Sequence, residues 1–184
     1  MTPPRTWRVW DLLIRLLHWS TVLLCALNWF VLEEGSRPHR LVGYTVGGLL
    51  LLRLLWGFAG SHYARFGQWF PSPARLRHFF RRLHDGHHPY YLGHNPVGAL
   101  MILALMTLLG STVLTGWMTG WDGVADEDWL EALHGTLANS LLALAGLHAA
   151  AVLLIDRLTR SDLLRAMVTG SKRVAPDTQV EDPR

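Results

Sequence analysis

Leu130-Glu-Ala-Leu-His-Gly-Thr-Leu-Ala-Asn-Ser-Leu-Leu-Ala-Leu-Ala-Gly-Leu-His-Ala-Ala-Ala-Val-Leu-Leu-Ile-Asp156 is the stretch on which the fold turns. No charged residue interrupts it between Glu131 and Asp156. It exceeds the roughly 20 apolar residues that an α-helix needs to cross the hydrocarbon core of a bilayer. Two histidines stand inside it, His134 and His148, 14 residues apart. At about 100° per residue they return to nearly the same face, separated by about 21 Å along the axis. Ionisable residues inside a membrane are costly, and their default reading is functional.

Working outward, three earlier runs have the same character. They extend from about Leu12 to Leu32, from about His39 to Ala59, and from about Pro96 to Thr119. Pro96 suits the first position of a helix. The chain of 184 residues is 50% hydrophobic and 17% charged, against about 25% charged in soluble domains. The sequence therefore predicts an all-α integral membrane protein, a four-helix transmembrane bundle in one domain. The first run is long enough to span and lacks a plain small-residue cleavage site, so it is expected to stay in the protein.

The pI near 9.5 does not indicate nucleic acid, because the basic residues lie at the ends of apolar runs, as the positive-inside rule requires. Arg5, Arg8, the loop with Arg65, Arg75, Arg77, Arg81 and Arg82, and the tail with Arg157, Arg160, Arg165, Lys172 and Arg173 fall on one side. Arg37 and Arg40 fall on the other, among Glu33, Glu34, Asp122, Asp126, Glu127, Asp128 and Glu131. Both termini are expected in the cytoplasm. Trp29, Trp117, Trp121 and Trp129 suit the opposite interface. In the long loop, Leu76, Phe79, Phe80 and Leu83 share a helical face beside four arginines, which predicts a short interfacial amphipathic helix between the second and third spans. Residues 1–173 are expected to form the transmembrane domain, and residues 174–184 a polar tail without fixed structure.

Cys25 is alone, so no intrachain disulfide forms, and no Cys-x-x-Cys-His attaches a haem covalently. Of ten histidines, six fall in the cytoplasmic loop: His62, His78, His84, His87, His88 and His94. His87 and His88 beside Asp85 would suit a metal, although such loops usually bind nothing specific. The other four are His18, His39, His134 and His148. His18 comes early in an outward helix and His39 opens an inward one. Depth therefore pairs His18 with His148 and His39 with His134. Two stacked pairs of axial ligands are what two six-coordinate haems require. Bis-histidine ligation leaves iron no open position, which favours electron transfer over catalysis at the metal.

A haem plate against a helix needs missing side chains. Gly43, Gly47, Gly48, Gly110, Gly116, Gly135 and Gly146 would supply them, or else serve ordinary helix packing. Arg53, a charge in the inner half of the second span, would either pair with a haem propionate or snorkel to the interface. Arg15 and Arg40, beside His18 and His39, are similar candidates.

These residues resemble the bacterial cytochrome b561 family, which includes the b-type cytochrome subunits of nickel–iron hydrogenases. Trp10-Asp-Leu-Leu-Ile-Arg-Leu-Leu-His-Trp19 is similar to its first helix. His39-Arg-Leu-Val-Gly-Tyr44 through Phe58 is similar to its second, Gly93-His-Asn-Pro-Val-Gly98 to the start of its third, and Leu133-His-Gly135 with Gly146-Leu-His148 to its fourth. The resemblance covers about residues 5–173. It implies two non-covalent haem b groups, the four histidines as ligands, and electron exchange with quinone in the bacterial inner membrane. The expected partner is a periplasmic redox protein such as a c-type cytochrome, whose basic patch would meet the acidic face. A homodimer is open. Two other readings stand beside this one. A superoxide oxidase would reduce quinone at the haem edge, although the acidic face opposes an anionic substrate. A haem-free membrane anchor or transporter would make the matched histidine pairs a coincidence.

Overall fold

The structure is a computed structural model that describes residues 5–87, 89–121, 127–159, 161–176, 178, 180 and 181, and only the backbone of Glu127. Two short strands, β1 (Arg5–Arg8) and β2 (Ser171–Val174), accompany seven α-helices. These are α1 (Leu12–Phe30), α2 (Arg37–Ala59), α3 (Phe66–Trp69), α4 (Pro73–His84), α5 (Pro96–Met118), α6 (Glu127–Thr159) and α7 (Leu163–Thr169), with a 3₁₀ turn at His62–Ala64. Helices α1, α2, α5 and α6 are each long and apolar enough to cross a membrane, with mean hydropathy between 1.4 and 2.2. Large apolar side chains such as Leu23, Phe30, Leu51, Phe58, Leu154 and Leu158 are exposed along them. In water each would forfeit about 25 cal/mol per Å² of apolar area left unburied; in lipid they are matched. The all-α membrane fold expected from the sequence is the fold observed.

Helix boundaries follow local chemistry. The Ser36 Oγ accepts the His39 N–H at 3.3 Å, an N-cap that starts α2 two residues ahead of the expected His39. The Asn95 Oδ1 accepts the Gly98 N–H at 2.7 Å and starts α5 at Pro96. Helix α6 runs about a turn beyond the expected 130–156, because nothing in Glu127–Thr159 breaks a helix. At about 1.5 Å per residue it is longer than the roughly 30 Å hydrocarbon core.

The chain forms two compact units. The first comprises residues 1–15, 56–103 and 149–184. Its core is Val9, Trp10, Ile14, Ala64, Leu92, Ala166 and Val174, with Trp56, Tyr63, Tyr90 and Met167 packed against it. The strands, which the sequence reading did not anticipate, join antiparallel, Trp7 opposite Lys172. Alternation turns Lys172 and Val174 inward. Lys172 is 1% exposed, and its Nζ donates to the Tyr91 carbonyl at 3.2 Å and lies 5.7 Å from the Tyr90 ring centroid.

The amphipathic helix between the second and third spans is α4, capped by Ser72, whose side chain accepts the Arg75 N–H. Phe79 is its buried residue, while Phe80 remains exposed. Of the tail read as unstructured, Val174 belongs to β2 and Val180 bridges Tyr90, while Glu181 pairs with Arg82 at 2.7 Å. Residues 177, 179 and 182–184 of that tail lie outside the described residues, as does Arg160.

Asp11 ties this unit together. It accepts the Ile14 N–H at 2.8 Å, the Trp56 indole N–H at 3.0 Å and the Ser61 hydroxyl at 2.5 Å. Burial alone would raise its carboxyl pKa; the hydrogen bonds from Ser61, Ile14, Trp56 and Leu13 outweigh burial and hold it below the ordinary value. A depressed carboxylate stabilises the fold above about pH 4, the ordinary unfolded value, and that contribution disappears as pH falls through the lowered native value. Asp11→Ala should lower stability by about 1–3 kcal/mol at neutral pH, with the gap to wild type closing in acid. Thermal unfolding in detergent, followed by tryptophan fluorescence across pH, checks this.

Candidate cofactor site between paired histidines

The second unit, residues 16–55 and 104–148, contains all four intramembrane histidines. Each is half-buried. The unit is held by close helix contacts. A Cβ on Gly47 of α2 would lie 2.8 Å from Val113 Cγ1 of α5, and one on Gly110 of α5 would lie 3.5 Å from Leu50 Cδ2 of α2. The Asn28 side chain of α1 donates to the His39 carbonyl at 3.2 Å, joining α1 to the first turn of α2.

Of the two pairs that depth implied, the structure places the rings of His39 and His134 against each other, with centroids 6.4 Å apart and planes at 77°. Among the described residues no cluster of three or more His, Cys, Asp or Glu side chains is placed to hold a metal. Two imidazoles alone leave a six-coordinate ion four positions short.

His134 is the most firmly oriented of the four. Its Nδ1 lies 3.0 Å from the Thr112 carbonyl and 3.2 Å from Thr115 Oγ1. A carbonyl only accepts, so Nδ1 carries the proton and Nε2 keeps the lone pair a metal needs. Thr115 is a buried polar side chain, 7% exposed. Gly116 completes the seat: a Cβ there would lie 2.7 Å from His134 Cε1 and 3.1 Å from Nδ1. Thr112, Thr115 and Gly116 form an i, i+3, i+4 face of α5. Neither threonine was singled out from the sequence, and Gly116, offered there as room for a haem plate or a packed helix, makes room for the His134 ring. Gly48, Gly135 and Gly146 have nothing within 4 Å of an added Cβ.

The arginines part company. The Arg15 guanidinium donates to the Val168 carbonyl and belongs to the first unit. Arg53 is half-buried and Arg40 exposed. The loop histidines do not converge. His78 faces Glu181 at 3.4 Å, and His94 lies against Trp10 and Trp69, with centroids 4.6 and 5.4 Å away. His87 and Asp85 are exposed, and His88 lies outside the described residues, as do Asp122 and Asp126 of the acidic face.

Four helices long and apolar enough to span a membrane, with imidazoles among them, define a class, the helical membrane proteins. The family of prokaryotic cytochrome b561 matches residues 9–170, and the chain belongs to it. A relative from Bradyrhizobium diazoefficiens, named a probable Ni/Fe-hydrogenase B-type cytochrome subunit, is 24% identical over 171 residues, covering 78% of this chain and 68% of the relative. No solved structure matches the chain. The protein is thus a membrane b-type cytochrome of electron transfer, with haem b as its cofactor.

The residues fit that group. Imidazole nitrogens bond first-row metals at about 2 Å. Adding a ring radius of about 1 Å on each side puts two axial rings about 6 Å apart, beside the observed 6.4 Å. The Nδ1 atoms of His18 and His39 are buried without a hydrogen-bond partner, a cost of about 1–3 kcal/mol each that purely packing histidines would shed. Gly116→Ala should push the His134 ring from its seat and lower the haem b bound per chain, while Gly67→Ala, where an added Cβ meets nothing within 4 Å, should leave it unchanged. Pyridine-haemochrome quantification of the purified variants checks both.

Proposed function

We propose that this chain is a di-haem b-type cytochrome passing electrons between the quinone pool and a redox protein on the periplasmic side of a bacterial inner membrane. The observation that carries the reading is the ring pair of His39 and His134, with His148 returning to the same face of α6 after 14 residues, at the depth the sequence assigns to His18 of α1. His18 and His148 would hold one haem and His39 and His134 the other.

When bound, haem supplies a reversible one-electron centre. The chain's residues do the rest. The paired histidines would hold the iron, and a bis-histidine centre would carry electrons rather than bind substrate at the metal. The Thr112 carbonyl, accepting from Nδ1, fixes the His134 tautomer. Arg53, half-buried in α2, would neutralise a propionate; Arg40 is a second candidate, whereas Arg15 is engaged by Val168. Residues 1–173 would act as one transmembrane domain with both termini cytoplasmic. The acidic residues flanking α6 would receive a basic partner such as a c-type cytochrome, and the hydrogenase subunit named among the relatives agrees with a redox-protein partner.

A dithionite-reduced minus oxidised spectrum with haem quantification tests the reading. Two haem b per chain are expected. His18→Ala and His148→Ala should each remove one, His39→Ala and His134→Ala the other, and combining one variant from each pair should leave none. A single haem in the wild type, or loss that crosses the pairs, would refute it.

A further inference from the structure

The four histidines are not held alike. Nδ1 of His18 and of His39 is buried without a hydrogen-bond partner. Nδ1 of His134 faces two oxygens of α5, the Thr112 carbonyl at 3.0 Å and Thr115 Oγ1 at 3.2 Å. The Thr115 hydroxyl has one proton, and its oxygen lies 2.9 Å from the Ser111 carbonyl and 3.1 Å from the Thr112 carbonyl. Both of those groups can only accept, so the proton goes to the backbone. The Thr115 lone pairs are left toward the Nδ1–H, which is shared between the two oxygens.

We propose that Thr115 is a positioning residue for the haem ligated by His39 and His134, and that its hydroxyl oxygen lowers the reduction potential of that haem relative to the same site without it. The inference rests on the di-haem reading above. Its physical basis is the influence of a ligand's outer hydrogen bond. An acceptor on Nδ1–H pulls the proton outward, makes Nε2 a stronger donor and stabilises the ferric state. The oxygen is 7% exposed with its residue, so water does not screen the effect. Gly116 keeps the ring within reach of both acceptors, since any larger residue there would meet the imidazole. The protein thus sets the two haems apart through one side chain on a helix that supplies no ligand.

The test is potentiometric titration of the purified holoprotein in the visible α-band, with haem content measured alongside. Thr115→Val keeps the volume and removes the oxygen, Thr115→Ala removes both, and Thr115→Ser restores the oxygen. Expected is an upward shift of one of the two midpoints in Thr115→Val or Thr115→Ala, with the other midpoint unmoved and Thr115→Ser close to wild type. Loss of one haem in both Val and Ala variants with its return in Thr115→Ser would also support the role, because Ser differs from Ala by the oxygen alone. Two haems with neither midpoint moved would overturn the inference and leave the di-haem reading standing. Equal movement of both midpoints would also overturn it, as a general loosening of the bundle. A wild type with fewer than two haems would instead remove the reading on which the inference rests.

Discussion

A histidine inside a bilayer is costly unless its ring nitrogens find something to bind, and the packing of α5 against α6 follows from meeting that need for His134. Helix α6 carries two imidazoles on one face because their 14-residue spacing is close to a whole number of helical turns. One of them, His134, lies against the ring of His39 from α2. Helix α5 has no histidine, yet it is not filler: through Thr112, Thr115 and Gly116 it orients the ring of His134. The division of labour is chemical: α1, α2 and α6 carry the histidines, and α5 supplies acceptors and space for one of them.

The first unit solves a different problem. Where the chain leaves the spanning segments, its backbone must be satisfied by ordinary means, and it is. Asp11 gathers a helix start, an indole and a hydroxyl. Strand β2 closes the C-terminal segment onto β1, burying Lys172 with its ammonium on the Tyr91 carbonyl. A buried ammonium is tolerable only when hydrogen-bonded, so the strand pairing and the lysine contact depend on each other. Arginines of α4 read as charge for a membrane surface are partly committed inside the protein: Arg75 donates to the Gln68 and Phe70 carbonyls, and Arg82 pairs with Glu181.

Much was legible in the sequence because membrane constraints are local. A span needs about 20 apolar residues in succession, so four runs gave four helices within a turn of their observed ends. Depth was legible too, since alternating helix directions fix which histidines share a level without any knowledge of packing. What stayed hidden was whatever depends on a neighbour. Strands β1 and β2 are four residues each, too short for a periodic signal, and each exists only because the other end of the chain lies beside it. Thr112 and Thr115 read as unremarkable hydroxyls of an apolar helix, whose oxygens also bond the preceding turn.

The amino-acid order by itself determined the membrane class, the number of spans and the spacing of the two histidines on α6, because bilayer thickness and helical pitch turn sequence distance directly into depth. Tertiary structure alone decided which face of α5 meets His134, which nitrogen of that ring carries the proton, and which glycine is an imidazole seat while others only pack helices. Those facts depend on the rotation of one helix against another. Rotation is set by the fit of side chains across the interface, which no single helix records.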